Sequence, residues 1–220
     1  MTQYGMAIDL KRCFGCQSCS AACKMINNMP KDASFNVVYT KDDTDYSHPG
    51  KAVAKGDMFY GNAGGEFPNA ILSYFPVNCQ HCSTPSCVAV CPTGASQKDP
   101  ETGIVTIDYD VCIGCQSCMS ACPYNVRVAM GENPESWLDI VTGEYDAPPH
   151  KANTVEKCTF CKNLIDRGEA PACMDLCPGH ARYWGDLDDP ESNVSKAIAG
   201  RETLKYLEDA GTKPNVFYLL

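Results

Sequence analysis

Sixteen cysteines stand in four groups with none left over: Cys13, Cys16, Cys19 and Cys23; Cys79, Cys82, Cys87 and Cys91; Cys112, Cys115, Cys118 and Cys122; Cys158, Cys161, Cys173 and Cys177. Most neighbours within a group are two or three residues apart. That is too close to staple distant parts of a chain as disulfides do, and it suits thiolates wrapped around a metal centre. A [4Fe-4S] cube takes one thiolate per iron. A C-x2-C-x2-C loop turns three sulfurs toward one point and leaves the fourth ligand to come from elsewhere. Structural zinc also uses C-x2-C pairs, but it takes two pairs rather than a triplet followed by a fourth cysteine three residues on.

The third group, CIGCQSCMSACP, matches in full the run C-x2-C-x2-C-x3-C-P, whose fourth cysteine serves the other cluster of a bacterial two-cluster ferredoxin. The second group widens one gap to four residues and the fourth group widens it to eleven, while the first ends in Cys23-Lys24 instead of Cys-Pro. Crossing the fourth cysteines between partner groups gives four expected ligand sets. They are Cys13, Cys16, Cys19 with Cys177; Cys158, Cys161, Cys173 with Cys23; Cys79, Cys82, Cys87 with Cys122; and Cys112, Cys115, Cys118 with Cys91. The expected cofactors are four [4Fe-4S] clusters.

These loops need elements to hold them. CFGCQSCSAAC and CIGCQSCMSAC are near copies, which points to duplication of one cluster-binding unit. Between groups two and three, GASQKDPETGIVTID reads as strand, polar turn over residues 99–103 and strand, a ferredoxin-like hairpin. Groups one and four lie toward opposite ends, so their unit forms only if the chain closes around the other. The expected fold class is therefore α+β, with two nested bacterial-ferredoxin-like units and loop-rich insertions. Residues 1–26 with 153–190 make a discontinuous unit, 71–130 the second unit, 27–70 and 131–152 the insertions, and 191–220 a C-terminal helix and tail. The first insertion, with DDTDYSHPG and YGNAGGEFP, reads mainly as surface loop with a few short strands. Helices are expected over 159–167, ended by Gly168, and over about 190–199, capped by Asp188 or Asp189. The tail NVFYLL reads as extended and apolar, either a core strand or a segment lying across a partner.

Composition bounds the rest. With 44% hydrophobic residues the chain can bury an ordinary core. No apolar run approaches the eighteen or so residues a membrane span needs. The formal charge of −9 becomes about −17 with four oxidised clusters bound, so nucleic acid is not an expected partner. The opening MTQYGMAIDL has no basic n-region followed by an apolar h-region. The expected location is cytoplasmic, or extracytoplasmic if the chain is exported folded with a signal-bearing partner.

The four groups in order, YGMAIDLKRCFGC, NCQHC, CIGCQSCMSACPYNVR, KCTFC followed by PACMDLCP, and ARYWGDLDDPES together resemble a known family. It comprises the four-cluster iron–sulfur subunits of molybdenum and tungsten oxidoreductases of the dimethyl sulfoxide reductase superfamily. The late segment and tail look most similar to its polysulfide, thiosulfate, arsenate and hydroxyarene (pyrogallol) transhydroxylase branches. The resemblance implies a non-catalytic electron-transfer subunit. Its partners would be a large catalytic subunit holding the molybdopterin, and a membrane quinone-linked anchor subunit or a soluble carrier. It also implies that the cluster of Cys13 and Cys177 faces the catalytic subunit, with the clusters of groups two and three farther out. In nitrate-reductase-like relatives one cysteine of group three is tryptophan, which gives a three-iron cluster; here that position is Cys115, which implies a cubane. The other function weighed is a free-standing polyferredoxin that shuttles electrons between soluble redox enzymes.

Residues beside the cysteines take supporting roles in this reading. His81 packs or tunes a potential rather than ligating, and His180 packs near an interface. Tyr124, Tyr183 and Trp184 jacket the clusters against water. Pro92, Pro123 and Pro178 redirect the chain after a short helical turn. The glycines of GNAGG, residues 61–65, lack the strand-to-helix setting of a dinucleotide site and read as a turn. The chain offers no nucleophile with its base and no open metal site.

Overall fold

The computed structural model describes residues 2–43, 64–136, 138 and 140–220. In chain order the elements are β1 (Tyr4–Asp9), α1 (Ser18–Ile26), β2 (Asn36–Lys41), β3 (Ser73–Asn78), α2 (Ser86–Ala89), β4 (Ser96–Lys98), β5 (Val105–Ile107), α3 (Ser117–Ser120), β6 (Val128–Ala129), β7 (Val155–Glu156), α4 (Lys162–Ile165), α5 (Ala172–Asp175), β8 (Arg182–Asp186), α6 (Asn193–Ile198), β9 (Thr203–Leu204) and β10 (Val216–Leu219). Helices are short and strands sparse because much of the chain is spent in cysteine loops.

The largest sheet has the order β8-β1-β10-β9. Strand β1 runs antiparallel to β8, with Met6 opposite Trp184, and parallel to β10, with Met6 opposite Val216. The tail is thus an inner strand of the sheet. Its alternation explains why: Val216 and Tyr218 enter the main core with Met6 and Ile8, while Leu219 joins Ala7 and Val194 on the other face, under α6. Tyr218 stacks on Phe75 at 4.3 Å between ring centres, and its hydroxyl donates to the Pro76 carbonyl at 2.9 Å.

The ladder β2–β3 joins Asn36 to Asn78 and Lys41 to Ser73, so the first insertion holds a short strand, as expected of part of it. The hairpin β4–β5 pairs Ser96 with Ile107 and turns through Asp99 and Gly103, where the Gly103 amide donates to the Asp99 carbonyl at 2.9 Å. Strands β6 and β7 pair Val128 with Glu156 and tie the segment after group three to the segment before group four.

Two helix expectations are corrected. The helix placed over 159–167 is confined to α4, because Phe160 and Cys161 hold φ of 57° and 53° and cannot be helical. The one placed over 190–199 is α6, capped not by Asp188 or Asp189 but by Ser192, whose side chain accepts from the Ser195 amide at 3.2 Å. The loops expected in DDTDYSHPG and YGNAGGEFP, and the GNAGG turn, lie mostly outside the described residues; Gly64 and Ile71 form an isolated bridge.

Candidate metal centres

The first and third cysteine loops share one backbone solution. Gly15 and Gly114 adopt φ of 71° and 64°, and Gln17 and Gln116 adopt 62° and 60°, just before α1 and α3 begin at Ser18 and Ser117. These left-handed residues curl each loop so that its thiols face inward. In loop two His81 is left-handed, and in loop four Phe160 and Cys161 are.

None of the sixteen cysteines is paired in a disulfide. Cys13, Cys16 and Cys19 line a cavity together with Cys177, Ile8, Val38 and Arg182. Cys79, Cys82 and Cys87 line another with Cys122, Val105, Tyr124 and Arg127. Cys112, Cys115 and Cys118 line a third with Cys91, Ile107, Val155 and again Arg127. Cys23 lies within electrostatic reach of Cys158, Cys161 and Cys173, and its own pKa is driven well above the ordinary thiol value by burial and by those three neighbours.

Donors converge on the sulfurs. Asn36 Nδ2 donates to Cys19 Sγ at 3.2 Å. The amides of Ser96, Phe160 and Ala181 donate to the sulfurs of Cys91, Cys158 and Cys177, each at 3.4 Å. Such bonds stabilise a thiolate and set cluster potentials. Burial pushes Cys82 up to about 11 and Cys161 up to about 12, so as free thiols they hold their protons, which metal binding would release. Cys115 is exposed, and its pKa is lowered by hydrogen bonding to Ser117.

The donor sets fit a cluster. A single tetrahedral zinc would draw its sulfurs to about 3.8 Å from one another, given Zn–S bonds of about 2.3 Å. Among the described residues no three Cys, His, Asp or Glu side chains close up in the manner of single-ion ligands. Three cysteines of one loop and the fourth of another line one shared space in each of three places instead.

The supporting residues are placed plainly. His81 is fully buried and stacked on Phe160 at 3.7 Å, and its Nδ1 accepts from the Val105 amide at 3.1 Å. His180 is exposed. The Tyr124 hydroxyl meets Thr212 Oγ1 at 2.5 Å, Tyr183 accepts from Arg12 at 2.8 Å, and Trp184 stacks on Tyr4 at 4.8 Å. Pro92, Pro123 and Pro178 follow the single turns α2, α3 and α5.

Four buried cations among the described residues escaped the sequence reading: Lys41, which meets Asp43, and Arg127, Lys157 and Arg182. A signal for two of them was there. Cys122-Pro-x3-Arg127 and Cys177-Pro-x3-Arg182 repeat the same offset.

The loops, the hairpin and the thiol-lined cavities define a ferredoxin-type iron–sulfur protein. A family model for a 4Fe-4S dicluster domain matches residues 70–138 and 143–187, and one for a 4Fe-4S binding domain matches residues 10–26. A Halobacterium salinarum protein assigned as a dimethyl sulfoxide reductase iron–sulfur subunit is 44% identical over all of this chain and 79% of its own length. The arsenate respiratory reductase iron–sulfur subunit ArrB of Shewanella sp. is 38% identical over 98% of this chain and 95% of its own. A sulfite dehydrogenase subunit of Allochromatium vinosum is 37% identical over all of this chain and 83% of its own. The chain belongs to the iron–sulfur electron-transfer subunits of the dimethyl sulfoxide reductase superfamily of molybdenum oxidoreductases. That reading displaces the free-standing polyferredoxin. Among the described residues no helix is long and apolar enough to cross a membrane.

Proposed function

We propose that this chain is the non-catalytic electron relay of a molybdopterin oxidoreductase, with four [4Fe-4S] clusters held in two nested ferredoxin-like units. Each cluster would have three thiolates from one loop and the fourth from its partner loop: Cys13, Cys16, Cys19 and Cys177; Cys23, Cys158, Cys161 and Cys173; Cys79, Cys82, Cys87 and Cys122; Cys91, Cys112, Cys115 and Cys118. The observation that carries the reading is the lining of the cavities, where three cysteines of one loop meet the fourth cysteine of another. When bound, the clusters supply one-electron transfer without proton or group chemistry.

The chain's own residues hold the thiolates, donate amide hydrogens to them and exclude water. Apolar side chains rim two cysteine loops on the surface: Phe14, 55% exposed, and Leu176 beside the Cys13 set, and Ile113, 65% exposed, beside the Cys112 set. Exposed apolar rims at electron entry and exit points suit docking partners. One would be the large catalytic subunit, the other a membrane anchor subunit or a soluble carrier. The relatives reduce arsenate or oxidise sulfite by name, so the substrate and the direction of flow belong to the catalytic partner and not to this fold.

Anaerobic purification from the source cell tests the reading. It expects about sixteen iron and sixteen sulfide per chain, brown absorption bleached by dithionite, and co-purification of a large molybdenum or tungsten protein. A colourless zinc protein, or a fully loaded chain that never associates with such a partner, contradicts it.

A further inference from the structure

Arg182, Lys157 and Arg127 are buried. No ion pair among the described residues joins any of them to a carboxylate. An uncompensated buried cation costs several kcal/mol, roughly, so some other negative charge must balance each one. The surroundings identify it.

Arg182 lines the cavity of Cys13, Cys16, Cys19 and Cys177, while its Nη1 donates to Cys173 Sγ, of a different set, at 3.6 Å. Asn36 Oδ1 at 2.7 Å and Asn78 Oδ1 at 3.3 Å hold it between the two. Arg127 lines both the cavity of Cys79, Cys82, Cys87 and Cys122 and that of Cys91, Cys112, Cys115 and Cys118. Its Nη2 donates to Ser96 at 2.8 Å, and its buried Nη1 has no hydrogen-bond partner. Lys157 donates to the carbonyl of Cys158 at 2.8 Å and to that of Val105, a residue lining the Cys79 cavity.

We infer that these are positioning residues for electron transfer, one fixed cation at each junction between consecutive thiolate sets. Arg182 would sit between the Cys13 and Cys158 sets, Lys157 between the Cys158 and Cys79 sets, and Arg127 between the Cys79 and Cys112 sets. This rests on the electron-relay reading above. One electron added to the cluster that a thiolate set would hold makes that site one charge more negative, with no bond formed and no proton moved. A cation shared by two sets favours the added charge on either side and so raises both neighbouring potentials.

The test is an EPR-monitored potentiometric titration of the anaerobically purified holo protein carrying Arg182→Met, Lys157→Met or Arg127→Met. Each variant should shift two of the four midpoint potentials downward. The Arg182 and Arg127 pairs should share no cluster, and the Lys157 pair should take one from each. Charge-keeping Arg127→Lys should restore the Arg127 pair. If a methionine variant loses iron, the corresponding glutamine variant is read in its place. Unmoved potentials, a uniform shift of all four, or iron loss from both neutral variants of all three residues overturns the inference in favour of a purely structural role. A wild-type chain without four clusters would instead sink the electron-relay reading itself.

Discussion

Residues 13–23 and 112–122 are near copies in sequence and in backbone, yet they serve different surroundings. Both carry a left-handed glycine and a left-handed glutamine, both expose their second cysteine, and both bury their third. The helix that follows runs nine residues in the first case and four in the second. One residue accounts for this: Pro123 follows Cys122, where it removes an amide donor and disfavours helix at the preceding residue, whereas Lys24 follows Cys23 and lets α1 run on. The longer helix lays Ala22 against Cys161, Leu164 and Ala172 and carries Cys23 into the interior. The same ligand pattern therefore yields a deeply buried fourth cysteine in one copy and a half-buried one in the other.

Converting one copy into the other is the strongest way to break that account. Lys24→Pro would interrupt α1 and remove the ammonium bonds to the carbonyls of Lys31 at 2.7 Å and Ala33 at 3.2 Å. It should cost about 3 kcal/mol or more, a fall in Tm of roughly 6–12 °C, with iron lost from the Cys23 set. Pro123→Lys should stay within about 1 kcal/mol. Equal losses in thermal melts of the two would refute the single-residue explanation.

The two glycines sharpen the comparison. A Cβ on Gly114 would meet the Asn153 backbone carbonyl at 2.1 Å, whereas one on Gly15 would meet the Tyr74 ring at 2.2 Å. A ring can swing aside and a backbone cannot. Gly114→Ala should thus cost roughly 2–3 kcal/mol and Gly15→Ala roughly 1–2 kcal/mol, each including about 1 kcal/mol of left-handed strain. The reverse order in denaturation would show that the first loop is the more rigidly held.

The smallest expected effect concerns the end of α1. His150 bonds Glu156 Oε2 through Nδ1 at 2.7 Å and the carbonyl of Asn27, the residue closing α1, through Nε2 at 2.5 Å. Burial opposes its charge, but Glu156, which also bears on Tyr109, outweighs it, and the His150 pKa is raised. A raised folded pKa contributes stability that is fully present below about pH 6.5 and lost as pH rises through the folded value. Tm should accordingly fall more between pH 6 and pH 9 in the wild type than in His150→Gln; parallel curves would remove His150 from the account.

Much of this was legible in the sequence because thiolate spacing is local. The four groups, the hairpin turn at Asp99 and the Pro123–Lys24 difference can all be read within a few residues. What escaped was non-local or conformational. The pairing of Asn36–Lys41 with Ser73–Asn78 spans a long insertion, so short strands were expected there but neither their bounds nor their partner could be read. The left-handed Phe160 and Cys161 shortened a helix that propensity favoured. The buried cations went unread, because only the fold brings Arg127 to two cavities at once.

The central claim is that the fourth cysteine of each loop serves the partner loop's cluster. Comparing reduced-state EPR of Cys122→Ser with that of Cys79→Ser and Cys112→Ser tests it without any prior assignment of signals. The account predicts that Cys122→Ser perturbs the same resonance as Cys79→Ser and leaves the one altered by Cys112→Ser intact. Perturbation of the Cys112 resonance alone would mean that each loop closes on its own cluster, and would contradict the crossed arrangement.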